Sequence, residues 1–247
     1  MRVTTARPQR SALWLLDAPE TAGRHGQLAL HELDEAERER ADAFRRPADR
    51  DRYVAAHIAL RRLLAAYSGD APRDLRFARA DCPRCGAAHG RPVLAGRGPH
   101  FSLSHCRGAV LIGVAAAPVG VDVEPLPRSE RVDVCAAALH PRERRELQGH
   151  PPEQRPAVFA RLWARKEAYL KGTGVGVGGW TSEVYLGDAG PHAPARPAGW
   201  TVVDVPLGGG RAAAAAIRSH SGRPVLRRLP GGAVLVGGGV GEAPDQA

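Results

Sequence analysis

The sequence predicts an α+β fold built from two similar, pseudo-symmetric halves, each a small antiparallel sheet with one long packed helix. Short strand-like segments bounded by Gly and Pro are separated by two long helical patterns. The order strand, helix, helix, strands is followed by helix, helix, strands, which favours two α+β halves over alternating βαβ units. We place the division at residues 1–118 and 119–247, and no sequence repeat accompanies this repeat of elements.

The first half begins with a strand at 11–17, SALWLLD, and a helical charge pattern at 31–44. A long helix is predicted over 48–68, because semi-apolar side chains recur there at steps of three and four. Those side chains are Tyr53, His57, Leu60, Leu64 and Tyr67. A loop rich in Gly, Pro and Arg follows at 78–99.

Residues 100–124 contain three strand candidates separated by turns. The second half then has two predicted helices, at 139–148 with Pro141 in its first turn, and at 156–171 ended by Gly172. Further segments are predicted as strands at 173–186 and 199–206, as strand or helix at 212–217, and as a tail frayed from about 238.

Composition narrows the function classes. The chain has 247 residues and a net charge of +9, which favours polyanionic partners such as phosphorylated cofactors, acidic proteins or nucleic acid. No apolar run of about 20 residues occurs, so no membrane span is expected and a cytoplasmic location is predicted. Four cysteines then count as thiols or metal ligands before disulfides.

The segment GVDVE at 120–124 places two carboxylates, Asp122 and Glu124, on one face of a strand. Such a pair repels unless a cation lies between its members, and Mg²⁺ prefers oxygen ligands. A solvated acidic strand face is the alternative interpretation.

The segment RLWARKEAYLKG at 161–172 contains the only two lysines of a chain that otherwise uses arginine. Glu167 and Lys171 share a helix face, as an exposed ion pair would. In the alternative interpretation, Glu167 is a third carboxylate ligand of the Mg²⁺ ion, and Lys166 and Lys171 bind phosphate as compact cations.

Two other segments offer phosphate contacts. In FSLSH, residues 101–105, Ser104 precedes His105, which either has a structural role or contacts a phosphate or leaving group. The cluster FRRPADRDRY at 44–53 forms a solvated helix face or grips a phosphate through basic residues. These residues are Arg45, Arg46 and Arg52.

The loop CPRCGAAHGRP, residues 82–92, contains Cys82, Cys85 and His89, which suit a partial zinc site or two free thiols with a histidine. A structural zinc site needs a fourth ligand, for which Cys106 and Cys135 are candidates. Arg91 adds an exposed cation on a stiff turn.

Together, HGRP, FSLSH, GVDVE and WARKEAYLK occur in an order and at spacings that resemble the Sfp-type 4'-phosphopantetheinyl transferases. The resemblance spans about residues 31–186 and implies a fold of two similar halves with the active site between them. It also implies transfer of phosphopantetheine from coenzyme A to a carrier-protein serine, with release of adenosine 3',5'-bisphosphate and Mg²⁺ as the usual ion.

The resemblance implies roles for individual residues. Asp122, Glu124 and Glu167 match the metal carboxylates, and Glu167 is also the candidate base for the serine hydroxyl. Lys171 and His105 match groups at the phosphates. The remaining coenzyme A contacts would come from cations and one hydroxyl, namely Arg45, Arg46, Arg52, Arg91, Ser104 and Lys166.

Glu37 departs from the family pattern, because some members carry a basic residue there, and this leaves the grip on the 3'-phosphate open. The expected partners are coenzyme A and an apo acyl or peptidyl carrier protein, and neither nucleic acid nor a membrane is expected as a partner. Because both halves lie in one chain, a monomer is sufficient to form the active site. Two alternatives use other chemistry: a Mg²⁺-dependent phosphodiesterase, and a basic nucleic-acid-binding module, for which the chain has few stacking aromatics.

Overall fold

The computed structural model describes residues 11–17, 25–96, 98–176, 181–188, 193–218 and 224–241. Their helices and strands confirm the predicted α+β class. The helices are α1 (Glu35–Asp42), α2 (Pro47–Ser68), α3 (Ser129–Cys135), α4 (Pro141–Gln148) and α5 (Arg155–Thr173). The strands are β1 (Ala12–Leu16), β2 (Phe77–Arg79), β3 (Pro92–Leu94), β4 (His100–Cys106), β5 (Ala109–Ala115), β6 (Val119–Pro125), β7 (Thr201–Asp204), β8 (Arg211–Ile217) and β9 (Val225–Leu229).

The chain forms two compact units. Of the described residues, the first unit contains 11–17, 25–78, 92–96, 98–116 and 224–241, and the second contains 79–91, 117–176, 181–188 and 193–218. This division differs from a single break at 118/119, because β9 pairs in parallel with β1 and so belongs to the first unit. The loop at 79–91 belongs instead to the second unit.

The first unit is organised around a sheet in the order β4-β5-β1-β9, in which every residue of β1 and β5 is buried. Helix α2 packs on this sheet through its apolar face, including Leu60, Leu64 and Tyr67. Proline at its first turn and Gly69 in the left-handed conformation at its end fix its length. The predicted helix at 48–68 is confirmed.

Glu37 of α1 has a structural role in this unit. Its side chain caps α1 with Asp34 and accepts a hydrogen bond from Arg61 Nε at 2.7 Å, while His57 Nδ1 lies 2.9 Å from Oε1. These hydrogen bonds and cations hold the pKa of Glu37 below its usual value despite its burial. Glu37 therefore ties α1 to α2.

The second unit has a sheet in the order β6-β8-β7 with α5 packed against it. An alanine-rich contact joins them, and it includes Ala164 and Ala168 of α5 and Ala214 and Ala216 of β8. A second cluster of larger apolar side chains packs around α5, and it comprises Val132, Leu139, Leu147, Phe159 and Leu162. Both faces of α5 are thus covered over part of its length.

Several predicted elements need correction. Helix α5 continues through Gly172 to Thr173 and ends at Gly174, which adopts φ 83°. The described part of 173–186 forms no strand, whereas 212–217 is a strand and β9 was not predicted. Gly238, expected to fray, accepts a hydrogen bond from Arg62 at 2.9 Å, and residues 242–247 lie outside the described residues.

Candidate active site

Strand β6 directs Asp122 toward α5. Asp122 lies opposite Ala214 on β8, and directly paired residues of neighbouring strands share a face of the sheet. Ala214 packs against α5, so Asp122 faces the helix. Asp122 is 2% exposed and Glu124 is half-buried, which contradicts a solvated acidic strand face.

Two glycines allow this strand and helix to approach closely. A Cβ at Gly120 would lie 1.9 Å from the carbonyl oxygen of Ala168 and 2.4 Å from the nitrogen of Gly172. Any side chain at Gly120 would therefore force β6 away from α5. This contact fixes the separation between the carboxylates of β6 and the polar side chains of α5.

Lys171 crosses from the helix to the strand. Its ammonium donates to Asp122 Oδ1 at 2.6 Å, and its side chain remains 34% exposed. The lysine therefore neutralises a buried carboxylate while part of it stays accessible to a ligand.

The carboxylates at this contact influence one another. Burial and the Asp122 charge raise the pKa of Glu124 to about 7, with Lys171 opposing the shift. Burial and Asp122 also raise the pKa of Glu167. Lys171 offsets only part of the negative charge that these three carboxylates carry when ionised, so the cluster favours a divalent cation.

The oxygen donors and the charge therefore fit Mg²⁺. Among the described residues, Cys82, Cys85 and His89 form a group of ligand atoms that all lie within 4.8 Å of one another, whereas the three carboxylates are not gathered that closely. A shared ion would accordingly draw the glutamate side chains toward Asp122.

Lys166 lies on another side of α5, and its placement contradicts the predicted phosphate contact. It is 1% exposed, and its ammonium lies 2.8 Å from Glu143 Oε2 and donates to the Val184 carbonyl. Glu143 in turn accepts from the Leu186 amide at 2.7 Å. Lys166 therefore joins α5 to α4 and to the segment at 184–186.

Arg91 is brought to the C-terminal end of α5. A Cβ at Gly174 would lie 3.2 Å from the Arg91 amide nitrogen, so the backbone of Arg91 packs directly on the residue that ends the helix. Burial, with Arg218 nearby, lowers the pKa of Arg91. Lys171 lies in the last turn of the same helix.

The other predicted contacts lie in the first unit. Ser104 is buried and His105 half-buried on β4, an edge strand that continues to Cys106. Arg45 and Arg46 are exposed just before α2, and Arg52 pairs with Asp49 at 3.0 Å. These five residues therefore belong to the first unit. The second unit contains the other group, which comprises Asp122, Glu124, Glu167 and Lys171.

Comparison with known proteins identifies the class to which this arrangement belongs. The family model of the 4'-phosphopantetheinyl transferase superfamily matches residues 118–190, the stretch that contains β6 and α5. The HetI 4'-phosphopantetheinyl transferase of Nostoc is 33% identical over 67% of this chain and 69% of its own length. A Synechocystis protein named as a 4'-phosphopantetheinyl transferase is 31% identical over 70% and 68%.

The Bacillus subtilis 4'-phosphopantetheinyl transferase is 25% identical over 66% of this chain and 69% of its own. The chain belongs to the 4'-phosphopantetheinyl transferase superfamily, as the sequence resemblance indicated. It is accordingly an enzyme that transfers phosphopantetheine groups. No helix in the described part of the chain has the length and apolar character needed to cross a membrane.

Proposed function

We propose that the protein transfers the 4'-phosphopantetheine group of coenzyme A to a serine of an apo carrier protein, with Mg²⁺ bound and with release of adenosine 3',5'-bisphosphate. One observation carries the proposal: where β6 meets α5, a partly exposed lysine contacts Asp122, whose charge also acts on Glu124 and Glu167. This contact lies within the residues matched by the family model.

Asp122, Glu124 and Glu167 would hold the ion, because they supply hard oxygen donors whose charges Lys171 balances only in part. Bound there, Mg²⁺ would neutralise pyrophosphate charge as the phosphorus–oxygen bond breaks.

Lys171 contributes a movable positive charge. Its ammonium donates to Asp122, and its accessible portion would allow it to donate to a phosphate oxygen instead. A compact ammonium suits this exchange, since its three donors reorient around one point. Lys171 would thereby stabilise charge on the departing adenosine bisphosphate.

Glu167 is the proposed base for the carrier serine. Its carboxylate lies near Asp122 and Lys171, where a serine hydroxyl brought to the phosphates could give it a proton. The serine oxygen would lose its proton to Glu167 and form a bond to the β-phosphorus of coenzyme A. The bond from that phosphorus to the bridging oxygen breaks, and the electron pair leaves with adenosine 3',5'-bisphosphate.

Arg45, Arg46, Arg52, Arg91, Ser104 and His105 are proposed to contact coenzyme A. The exposed guanidinium groups of Arg45 and Arg46 suit phosphate oxygens, and His105 can donate to a phosphate near neutral pH. Glu37 does not join them, because it is committed to Arg61 and His57.

The net charge of +9 favours an acidic carrier protein as partner, with electrostatic attraction speeding association. We propose an acyl or peptidyl carrier domain of a secondary-metabolite pathway, a monomeric enzyme and a cytoplasmic location. Association should then slow as ionic strength rises.

The test is mass spectrometry of an apo carrier protein incubated with this enzyme, coenzyme A and Mg²⁺. We expect the carrier to gain the mass of one 4'-phosphopantetheine group. EDTA, Asp122→Asn and Glu167→Gln should each abolish the gain, while Glu153→Gln, an exposed carboxylate outside the site, should not. A folded enzyme that binds no coenzyme A and modifies none of several carriers would sink the proposal.

A further inference from the structure

The loop at 79–91 brings two thiols and an imidazole together by a tight backbone path. Gly86, at φ 73°, donates its amide to the Cys82 carbonyl at 2.9 Å, which turns the chain between the two cysteines. The amides of Cys82 and His89 both donate to the Ala87 carbonyl at 2.8 Å. This path returns the His89 ring to Cys85, with Nε2 3.0 Å from Sγ.

The resulting ligand atoms have the spacing that one metal ion requires. The donor atoms of Cys82, Cys85 and His89 all lie within 4.8 Å of one another. Around tetrahedral zinc, bond lengths of about 2.3 Å to sulfur and about 2.0 Å to nitrogen put neighbouring ligand atoms roughly 3.5–3.8 Å apart. Small side-chain rotations therefore suffice to enclose an ion.

From this geometry we infer that Cys82, Cys85 and His89 bind one Zn²⁺, with the fourth position open toward solvent. Two thiolates and an imidazole are soft and borderline donors that select zinc over Mg²⁺. Cys85 and His89 are exposed, so the ion would lie at the surface with room for water. Among the described residues, Cys135 at the end of α3 is not grouped with this cluster, so it is not the fourth ligand.

A zinc ion in this loop would affect the segment that carries Arg91. Its base is closed by hydrogen bonds from Ala80 N to Arg91 O at 3.0 Å and from Gly90 N to Ala80 O at 2.8 Å. The next contact along the chain is the packing of Arg91 on Gly174 at the end of α5. Zinc at the loop tip would therefore rigidify the segment that presents Arg91, although zinc binding itself does not depend on the proposed transfer activity.

The first experiment measures metal content by mass spectrometry after zinc loading under reducing conditions and removal of free metal. We expect about one zinc per chain in the wild type and less than about a tenth of that in Cys85→Ser and His89→Gln. Cys135→Ser, a half-buried thiol outside the loop, should retain the full zinc content. Because Cys85 and His89 are exposed, their replacements should fold, which circular dichroism would verify.

A second measurement uses Arg84, an exposed trypsin site between the two cysteines. With reductant present, zinc at ten times its Kd should slow cleavage after Arg84 about tenfold in the wild type and leave Cys85→Ser unaffected. Zinc content below a tenth of an ion in the reduced wild type, or equal zinc in Cys85→Ser, overturns the inference. So does a reduced chain that takes up no zinc and reoxidises to a Cys82–Cys85 disulfide.

Discussion

The ammonium of Lys166 lies 2.8 Å from Glu143 Oε2, and the two side chains are 1% and 0% exposed. The second lysine, Lys171, instead contacts Asp122 and keeps a third of its side chain in solvent. The two lysines of this arginine-rich chain therefore have different surroundings: Lys166 joins two helices in the interior, and Lys171 keeps part of its side chain accessible.

Replacing Lys166 by methionine should destabilise the fold. The change leaves Glu143 buried without its cation, and loss of one member of a buried ion pair costs about 3–5 kcal/mol. Urea unfolding would measure this loss. Arg145→Met, an exposed change on α4, is the control and should stay within about 0.5 kcal/mol of wild type.

The double change Lys166→Met with Glu143→Gln should recover part of that stability, because glutamine removes the uncompensated charge and still accepts from the Leu186 amide. Strictly additive losses would show that the two side chains do not stabilise each other. The folded fraction of Lys166→Met should also keep near-normal turnover, which a phosphate contact would not allow.

Lys171→Arg, unlike Lys166→Met, should keep its stability and lose turnover. The charge and the contact with Asp122 can persist, so the fold should be kept, but a planar guanidinium cannot replace a compact ammonium at the phosphates. We expect turnover in the carrier-protein assay to fall about tenfold or more. The matched control is Arg145→Lys, and wild-type turnover in Lys171→Arg would refute the role assigned to Lys171.

Local patterns were sufficient to predict most elements around the site. The alternation in GVDVE predicted β6, and the recurrence of semi-apolar side chains predicted α2 to within a residue. Gly172 marked the end of α5 to within two residues. The strand period also placed Asp122 and Glu124 on one face, and the helix period placed Glu167 and Lys171 on one face.

Long-range features could not be predicted in the same way. The parallel pairing of β9 with β1 joins residues more than 200 positions apart, and nothing local in VLRRL specifies that partner. Gly172 was predicted to end the helix, as glycine often does, but it lies within α5. It is small there because Gly120 of β6 packs directly against it. Burial of Lys166 did have a signal, since Leu162 and Leu170 lie four residues away on either side, on the same buried stripe.

Glu124 predicts a pH-dependent stability in metal-free protein. Its folded pKa of about 7 exceeds the ordinary glutamate value of 4.5, so the folded state binds more protons than the unfolded state between these values. The contribution of Glu124 to stability is therefore lost as pH rises from about 4.5 to about 7.

The measurement is the difference in melting temperature between Glu124→Gln and wild type in EDTA, followed from pH 5 to pH 8. Glutamine cannot ionise, so the melting temperature of the variant should rise relative to that of the wild type as pH increases. Adding Mg²⁺ at pH 8 should reduce that advantage, because the wild type has one more carboxylate for the ion to bind and neutralise. Parallel melting curves across this range would contradict the electrostatic role of Glu124.

Gly120→Ala tests whether the close approach of β6 to α5 builds the site. The added methyl group would lie 1.9 Å from the Ala168 carbonyl, and backbone atoms cannot rotate away as a side chain can, so the strand must shift. We expect a loss of about 3 kcal/mol or more in urea unfolding, with Mg²⁺ stabilisation of the remaining folded protein weakened because Asp122 moves relative to α5. Gly208→Ala is the control, since a methyl group there meets nothing within 4 Å. Equal stability and equal response to Mg²⁺ in the two variants would mean that the glycine contact does not position the carboxylates.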